Sequence, residues 1–218
     1  MASKKIMAIL DALDKEYGTD YVCYLNHENA WQLLIATMLS AQCTDARVNI
    51  VTKDLFVKYP SVQAFADADL KELEQDIHST GFYHNKAKNI IACCKALMEK
   101  YNGEVPSDIE SLTSLAGVGR KTANVMLAVI FNKAAMAVDT HVFRVSERIG
   151  LTTNCTTPLA TEKALCRNIP EDVIPLAHHW LILHGRYVCK ARRPLCDECF
   201  LTDVCRHFLT NHKPDNNG

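Results

Sequence analysis

Apolar residues recur along this chain with a helical period, and no segment shows the strict alternation of a half-buried strand. Residues 4–17 place Ile6, Ile9, Leu10 and Leu13 on one face. Residues 29–44 carry Trp31, Leu34, Ile35, Met38 and Leu39 at helical spacing, and Gln42 continues the stripe 31–35–38–42. Further helices are predicted at about 46–58, 68–77 and 84–101. Pro106 and Ser107 break the pattern before a short helix at 109–115. Residues 120–131 are apolar almost all round, which predicts a buried helix. Three more follow near 140–150, 158–168 and 172–188, then a short last helix, and residues after about 210 read as frayed. The fold class is therefore all-α. No low-complexity segment or long linker interrupts it, so any division into domains must come from packing.

Composition narrows the class. The chain has 218 residues, 48% hydrophobic and 22% charged, enough to bury a core and to fill one or two domains. Met1-Ala2-Ser3-Lys4-Lys5 runs straight into an amphipathic pattern, without the form of a signal peptide. The longest apolar stretch, Leu33 to Ala41, is too short to span a bilayer, so no membrane association is expected. Ten cysteines without a secretory signal imply a reducing compartment and a cytoplasmic protein. The net charge of −1 does not announce a nucleic-acid binder. Locally, Arg186, Lys190, Arg192 and Arg193 form a basic run with no acid among residues 186–193. Such a run is either a solvated loop or a phosphate contact.

Four of the cysteines, Cys189, Cys196, Cys199 and Cys205, follow the spacing C-x6-C-x2-C-x5-C. Thiolates bind soft metals, and four of them complete an iron–sulfur or a zinc shell. Zinc ribbons and fingers pair two short knuckles. A single C-x2-C with one Cys on either side suits a cubane cluster better, although a four-thiolate zinc site stays open on local spacing. The other six (Cys23, Cys43, Cys93, Cys94, Cys155 and Cys166) show no ligand spacing and read as small core or surface residues.

The string Leu115-Ala116-Gly117-Val118-Gly119-Arg120-Lys121-Thr122-Ala123-Asn124 predicts two helices meeting at a G-x-G hairpin. Glycine permits positive φ and lets a foreign group approach the backbone. The first amides of the second helix lack intrahelical partners and lie at the positive end of its dipole, so the hairpin is either a phosphate site or a plain helix–turn–helix packing corner, and the whole ten-residue string favours the phosphate site. Lys121 falls in that first turn, where the dipole disfavours a cation. It is either a phosphate-contacting lysine or a nucleophile, since only the neutral amine attacks. Asp139, in Ala137-Val138-Asp139-Thr140-His141, precedes a predicted helix and reads as its N-cap, a role compatible with that of a catalytic anion.

Together these segments resemble the endonuclease III family of helix-hairpin-helix DNA glycosylases. The resemblance runs from about residue 29 to Cys205. Besides the hairpin and the cysteine spacing, it rests on Leu39-Ser40-Ala41-Gln42, Gly81-Phe82-Tyr83 with Lys86-Ala87, Val138-Asp139-Thr140-His141, and His179-Trp180-Leu181-Ile182-Leu183-His184-Gly185-Arg186. It implies two all-α domains: a six-helix barrel with the hairpin, assigned to residues 22–132, and a discontinuous domain of residues 1–21 and 133–218 holding a 4Fe–4S cluster. It implies a monomer acting on duplex DNA that carries an oxidised pyrimidine or an abasic site. By position Lys121 matches the family's nucleophile and Asp139 its catalytic carboxylate.

The same resemblance places Gln42 where a residue enters the gap left by a flipped base, and Phe82 at the second wedge position, where leucine is frequent. It places Gly117, Gly119, Arg120, Thr122, Lys190, Arg192 and Arg193 against DNA, and Ser40, Asp45 and His141 beside the damage pocket. Each of the last three is equally readable as a cap or a surface residue, Gln42 as a helix-end glutamine, and Phe82 as ordinary packing. The implied activity is a glycosylase and lyase of base excision repair, working in the cytoplasm on the nucleoid. The adenine glycosylase branch fits less well, because it usually holds serine at the Lys121 position and glutamate near the position of Ala36. Mismatch glycosylases, a non-catalytic iron–sulfur redox sensor and a ferredoxin-like carrier are the remaining alternatives.

Overall fold

The computed structural model describes residues 3–20 and 23–211. The fold class is all-α: no strand occurs among the described residues, and none of their helices is long and apolar enough to cross a membrane. The chain forms two compact units, Val22–Asn132 and Met1–Tyr21 with Lys133–Gly218. The segment expected to fray includes 212–218, which lies outside the described residues.

In chain order the helices are α1 (Lys4–Tyr17), α2 (Ala30–Leu39), α3 (Asp45–Lys58), α4 (Val62–Ala66), α5 (Leu70–Asp76), α6 (Tyr83–Tyr101), α7 (Ile109–Ser114), α8 (Arg120–Val129), α9 (Thr140–Ile149), α10 (Pro158–Asn168), α11 (Ile174–Tyr187) and α12 (Arg206–Asn211). Short 3-10 turns lie at His78–Thr80, Glu171–Val173 and Cys196–Glu198. Side-chain caps define most starts: Ser3, Asn29, Thr44, Ser61, Asp69, Asp108, Asp139 and Thr157 each accept an N–H from the first turn of the helix that follows.

The Val22–Asn132 unit is built around α2, of which Gln32 to Leu39 are all buried. The Phe65 side chain is fully enclosed, with the rings of Trp31, Phe56 and Tyr59 centred 6.0, 6.4 and 4.9 Å away. Two expectations change here. The helix predicted over 29–44 stops at Leu39. The Ser40 hydroxyl donates to the Thr37 carbonyl, the Cys43 amide bonds back to Ser40, and Gln42 turns left-handed at φ 54°. Gln42 therefore leaves the apolar stripe and stands exposed in a turn that Thr44 closes as cap of α3. The second change is α4, which the periodicity misses because five residues are too few to display a period.

In the other unit α9 packs on α11, and α1, α10 and α12 gather round them over a core that includes Leu13, Val142, Val145, Leu165, Trp180 and Leu201. The Trp180 indole donates to the Gly18 carbonyl at 2.7 Å. A Cβ at Gly185 would stand 2.8 Å from the His141 Cβ, so α11 reaches this close to α9 only through a glycine.

Candidate active site

The hairpin joins α7 to α8, with the Val118 amide bonded to the Leu115 carbonyl at 3.1 Å. Its two glycines do different work. Gly117 has φ 74°, and a Cβ there would meet Asn89 at 2.8 Å and Met38 at 2.9 Å, so the hairpin seats on α6 and α2 through it. Gly119 has φ −85° and needs no special backbone freedom, but a Cβ there would meet nothing within 4 Å. The close approach is made by the protein itself at Gly117, and open space lies at Gly119. Gly119 is also the N-cap of α8, with no side chain capping the helix. Arg120 and Lys121 are exposed at this end, Thr122 is half-buried, and Ala123 and Asn124 turn into the core. An ammonium and the positive end of a helix dipole thus share a solvent-facing surface next to bare backbone.

Asp139 caps α9 in the other unit. Its Oδ1 accepts the amides of His141 at 2.9 Å and Val142 at 2.8 Å, and Oδ2 takes no hydrogen bond among the described residues. One oxygen holds the carboxylate in place and the other is available to a reaction. His141 is half-buried and its Nδ1 lies 3.3 Å from the Arg144 guanidinium.

Gln42 and Phe82 belong to the Val22–Asn132 unit, and both are exposed and left-handed, at φ 54° and 49°. Phe82 is 64% exposed, which excludes the packing role for its ring. Ser40 is the C-cap of α2, and Asp45 is the first residue of α3, half-buried.

Cys189, Cys196, Cys199 and Cys205 line one cavity together with Arg148, His184, Leu195 and Phe208. The Arg148 guanidinium lies 3.6 Å from the Cys189 sulfur, and the His184 Nε2 3.7 Å from that of Cys199. Burial, with the neighbouring sulfurs adding to it, pushes the Cys196 and Cys199 thiols up. Four thiols lining a common cavity are a ligand set for a 4Fe–4S cluster.

The loop between Cys189 and Cys196 is bound by its backbone. Arg148 donates to the Lys190 carbonyl at 2.7 Å and the Ala191 carbonyl at 3.1 Å. Arg144 donates to the carbonyls of Cys189 and Gly185 at 3.1 and 2.9 Å, and the Leu195 amide closes the loop on Val188 at 3.0 Å. Lys190, Arg192 and Arg193 remain exposed, Arg193 with φ 53°. Of the other six cysteines, Cys93 and Cys94 are buried on α6, and burial raises the Cys93 thiol to about 12.

Three residues with evident work received no role from the sequence, although Lys86 stands in one of the strings that carry the resemblance. Arg144 and Arg148 stand four apart on α9 and hold the loop. Lys86 is buried, with Nζ 2.7 Å from the Leu39 carbonyl and 2.9 Å from that of Thr80. A lysine embedded between the apolar positions of α6 was the available signal.

A hairpin with an uncapped second helix, a capping carboxylate and a four-thiol cavity define the class of helix-hairpin-helix proteins with an iron–sulfur centre. The chain matches the HhH-GPD superfamily of base excision DNA repair proteins over residues 35–171, and the iron–sulfur binding domain of endonuclease III over residues 189–205. It is 51% identical over 184 residues to the endonuclease III of Bacillus subtilis (strain 168), covering 84% of each chain. Two solved structures share the fold with a TM-score of 0.89: a non-covalent endonuclease III–DNA complex, 47% identical over 98% of this chain and 100% of that one, and a trapped endonuclease III–DNA covalent intermediate, 48% identical at the same coverage. This chain belongs to the endonuclease III family.

Proposed function

We propose that this protein is a bifunctional DNA glycosylase and abasic-site lyase of base excision repair, with Lys121 as nucleophile and Asp139 as the catalytic carboxylate. Its substrate is duplex DNA carrying an oxidised pyrimidine or an abasic site. It acts as a monomer, in the cytoplasm on the nucleoid. The observation that carries the assignment of the nucleophile is the exposed Lys121 amine at the uncapped start of α8, beside the open face of Gly119.

The hairpin amides from Gly119 onward, with Arg120 and Thr122, bind a phosphate of the damaged strand. Gln42 and Phe82 fill the space vacated when the damaged nucleotide leaves the stack, and Ser40, Asp45 and His141 act on the displaced base. As the glycosidic bond breaks, positive charge grows on the sugar and the free Oδ2 of Asp139 stabilises it. The Lys121 nitrogen forms a bond to C1′ while the base leaves with the bonding electrons and takes up a proton; the nitrogen then loses a proton, the C1′–O4′ bond breaks as its nitrogen lone pair forms the C=N bond, and O4′ takes up a proton, leaving a protonated imine on an opened sugar. The imine acidifies C2′. Loss of that proton expels the 3′ phosphate, which cuts the strand on the 3′ side and leaves an unsaturated sugar for hydrolysis from the enzyme. The cluster, bound by Cys189, Cys196, Cys199 and Cys205, supplies a rigid anchor for the loop that offers Lys190, Arg192 and Arg193 to phosphates.

The test is reductive trapping. Borohydride added to protein and a duplex containing thymine glycol is expected to yield a covalent complex. Lys121→Ala is expected to lose it, with turnover falling at least about 10³-fold. An unchanged yield of trapped complex in Lys121→Ala would overturn the assignment.

A further inference from the structure

α2 and the 3-10 turn His78–Thr80 end close together, and each is followed by one of the left-handed residues. Leu39, the last residue of α2, lies three positions before Gln42, and Thr80 lies two before Phe82. The final carbonyls of a helical turn have no intrahelical donor and carry the negative end of its dipole. The ammonium of Lys86 donates to both of these terminal carbonyls, at 2.7 and 2.9 Å. Its side chain is enclosed, with the residue 7% exposed, and it meets no carboxylate among the described residues. Its own amide also donates to the Phe82 carbonyl at 3.1 Å, so Lys86 holds the Phe82 segment by side chain and by backbone.

A buried cation is costly, and burial duly lowers the pKa of Lys86. Left-handed backbone at non-glycine residues is also disfavoured and persists only where the surroundings fix it. The three unfavourable features occur together, at one junction. The hairpin seats there as well, since Gly117 packs on Met38, the neighbour of Leu39.

We infer that Lys86 is a positioning residue: it ties the Gln42 and Phe82 loops at a fixed separation, so that both enter the duplex as one rigid element. This rests on the proposal that Gln42 and Phe82 fill the gap in the DNA. Lys86 touches neither the sugar nor the base. Its removal therefore affects substrates that need a base displaced, and spares those that do not.

Lys86→Met keeps the length and apolar stem and removes the charge. Turnover of a thymine glycol duplex is expected to fall about 10–100-fold. β-Elimination at an abasic site in a single strand, where no gap has to be filled, is expected to fall less than about threefold. With 2-aminopurine opposite the lesion, the fluorescence change that reports unstacking should disappear in step with duplex turnover. Equal losses on the duplex and the single strand would overturn the inference, as would an undiminished duplex rate. The double substitution of Gln42 and Phe82 by alanine runs alongside: if it leaves duplex turnover intact, the gap-filling role itself fails, and if it lowers turnover while Lys86→Met does not, only the tie fails. Should Lys86→Met not fold, Lys86→Gln is read by the same ratio.

Discussion

In the Val22–Asn132 unit, the exposed Gln42 and Phe82 protrude from left-handed backbone, and the loops beneath them are tied by one buried cation donating to two carbonyls. In the cluster unit, exposed Arg193 is also left-handed, but its loop runs between two of the four cysteines and is held along its backbone by two arginines. The first arrangement joins its two loops to each other through one side chain and keeps left-handed backbone at their tips. The second spreads restraint over several bonds. A probe that must enter a base stack needs one stiff shape, whereas a loop that meets phosphates needs only its charges on the correct side.

That contrast can be broken or sharpened by substitution. After Lys121→Ala, the largest effect is expected at Asp139. Asn caps a helix about as well as Asp, so Asp139→Asn should change stability by less than about 0.5 kcal/mol. Turnover should nonetheless fall about 10²–10³-fold through loss of the charge. Thermal melting and single-turnover kinetics on one preparation check both halves.

The hairpin glycines come next. Gly117→Ala meets both positive φ and contacts at 2.8 and 2.9 Å, and should cost about 2–4 kcal/mol in denaturant titration. Gly119→Ala should stay within about 0.5 kcal/mol of the parent, yet weaken duplex binding roughly 3–10-fold by placing a methyl in the open space. If the two variants lose the same stability, the division of labour between the glycines is wrong.

Arg148→Met removes one of several loop ties and should cost about 1–2 kcal/mol. Faster hydrogen exchange at the Leu195 amide and unchanged exchange at the Lys86 amide would keep the effect within the cluster unit. The smallest change is expected from Gln42→Gly, which relieves left-handed backbone. Stability should rise by between 0 and about 1 kcal/mol while thymine glycol turnover drops. A Gln42→Gly protein that melts earlier would show that position 42 stores no strain.

The residues of the proposed chemistry lie in local strings. Lys121 lies within a single ten-residue hairpin string, Asp139 immediately precedes its helix, and the cysteines announce themselves by spacing. The end of α2 was not legible. Ser40-Ala41-Gln42-Cys43 contains neither glycine nor proline, and the stripe continues through it, while the turn is made by the Ser40 hydroxyl, the Thr44 cap and the left-handed Gln42. The work of Lys86, Arg144 and Arg148 is hidden for a different reason: each donates to at least one backbone carbonyl more than 40 positions away, which carries no side-chain signature. The two glycines of the hairpin look equivalent as letters and separate only when their neighbours are known.

The backbone bonds of the Cys189–Cys196 loop also govern how a protease reads it. Cleavage requires several residues to straighten into the enzyme's cleft, and a segment pinned through the carbonyls of Cys189, Lys190 and Ala191 resists that. Trypsin would find its sites after Lys190 and Arg192, while Pro194 protects the bond after Arg193. Nicking at those two bonds is thus a gauge of how firmly the thiol cavity is held, readable by mass on an otherwise folded chain. Any loosening of that hold would first show as scission after Lys190 and Arg192.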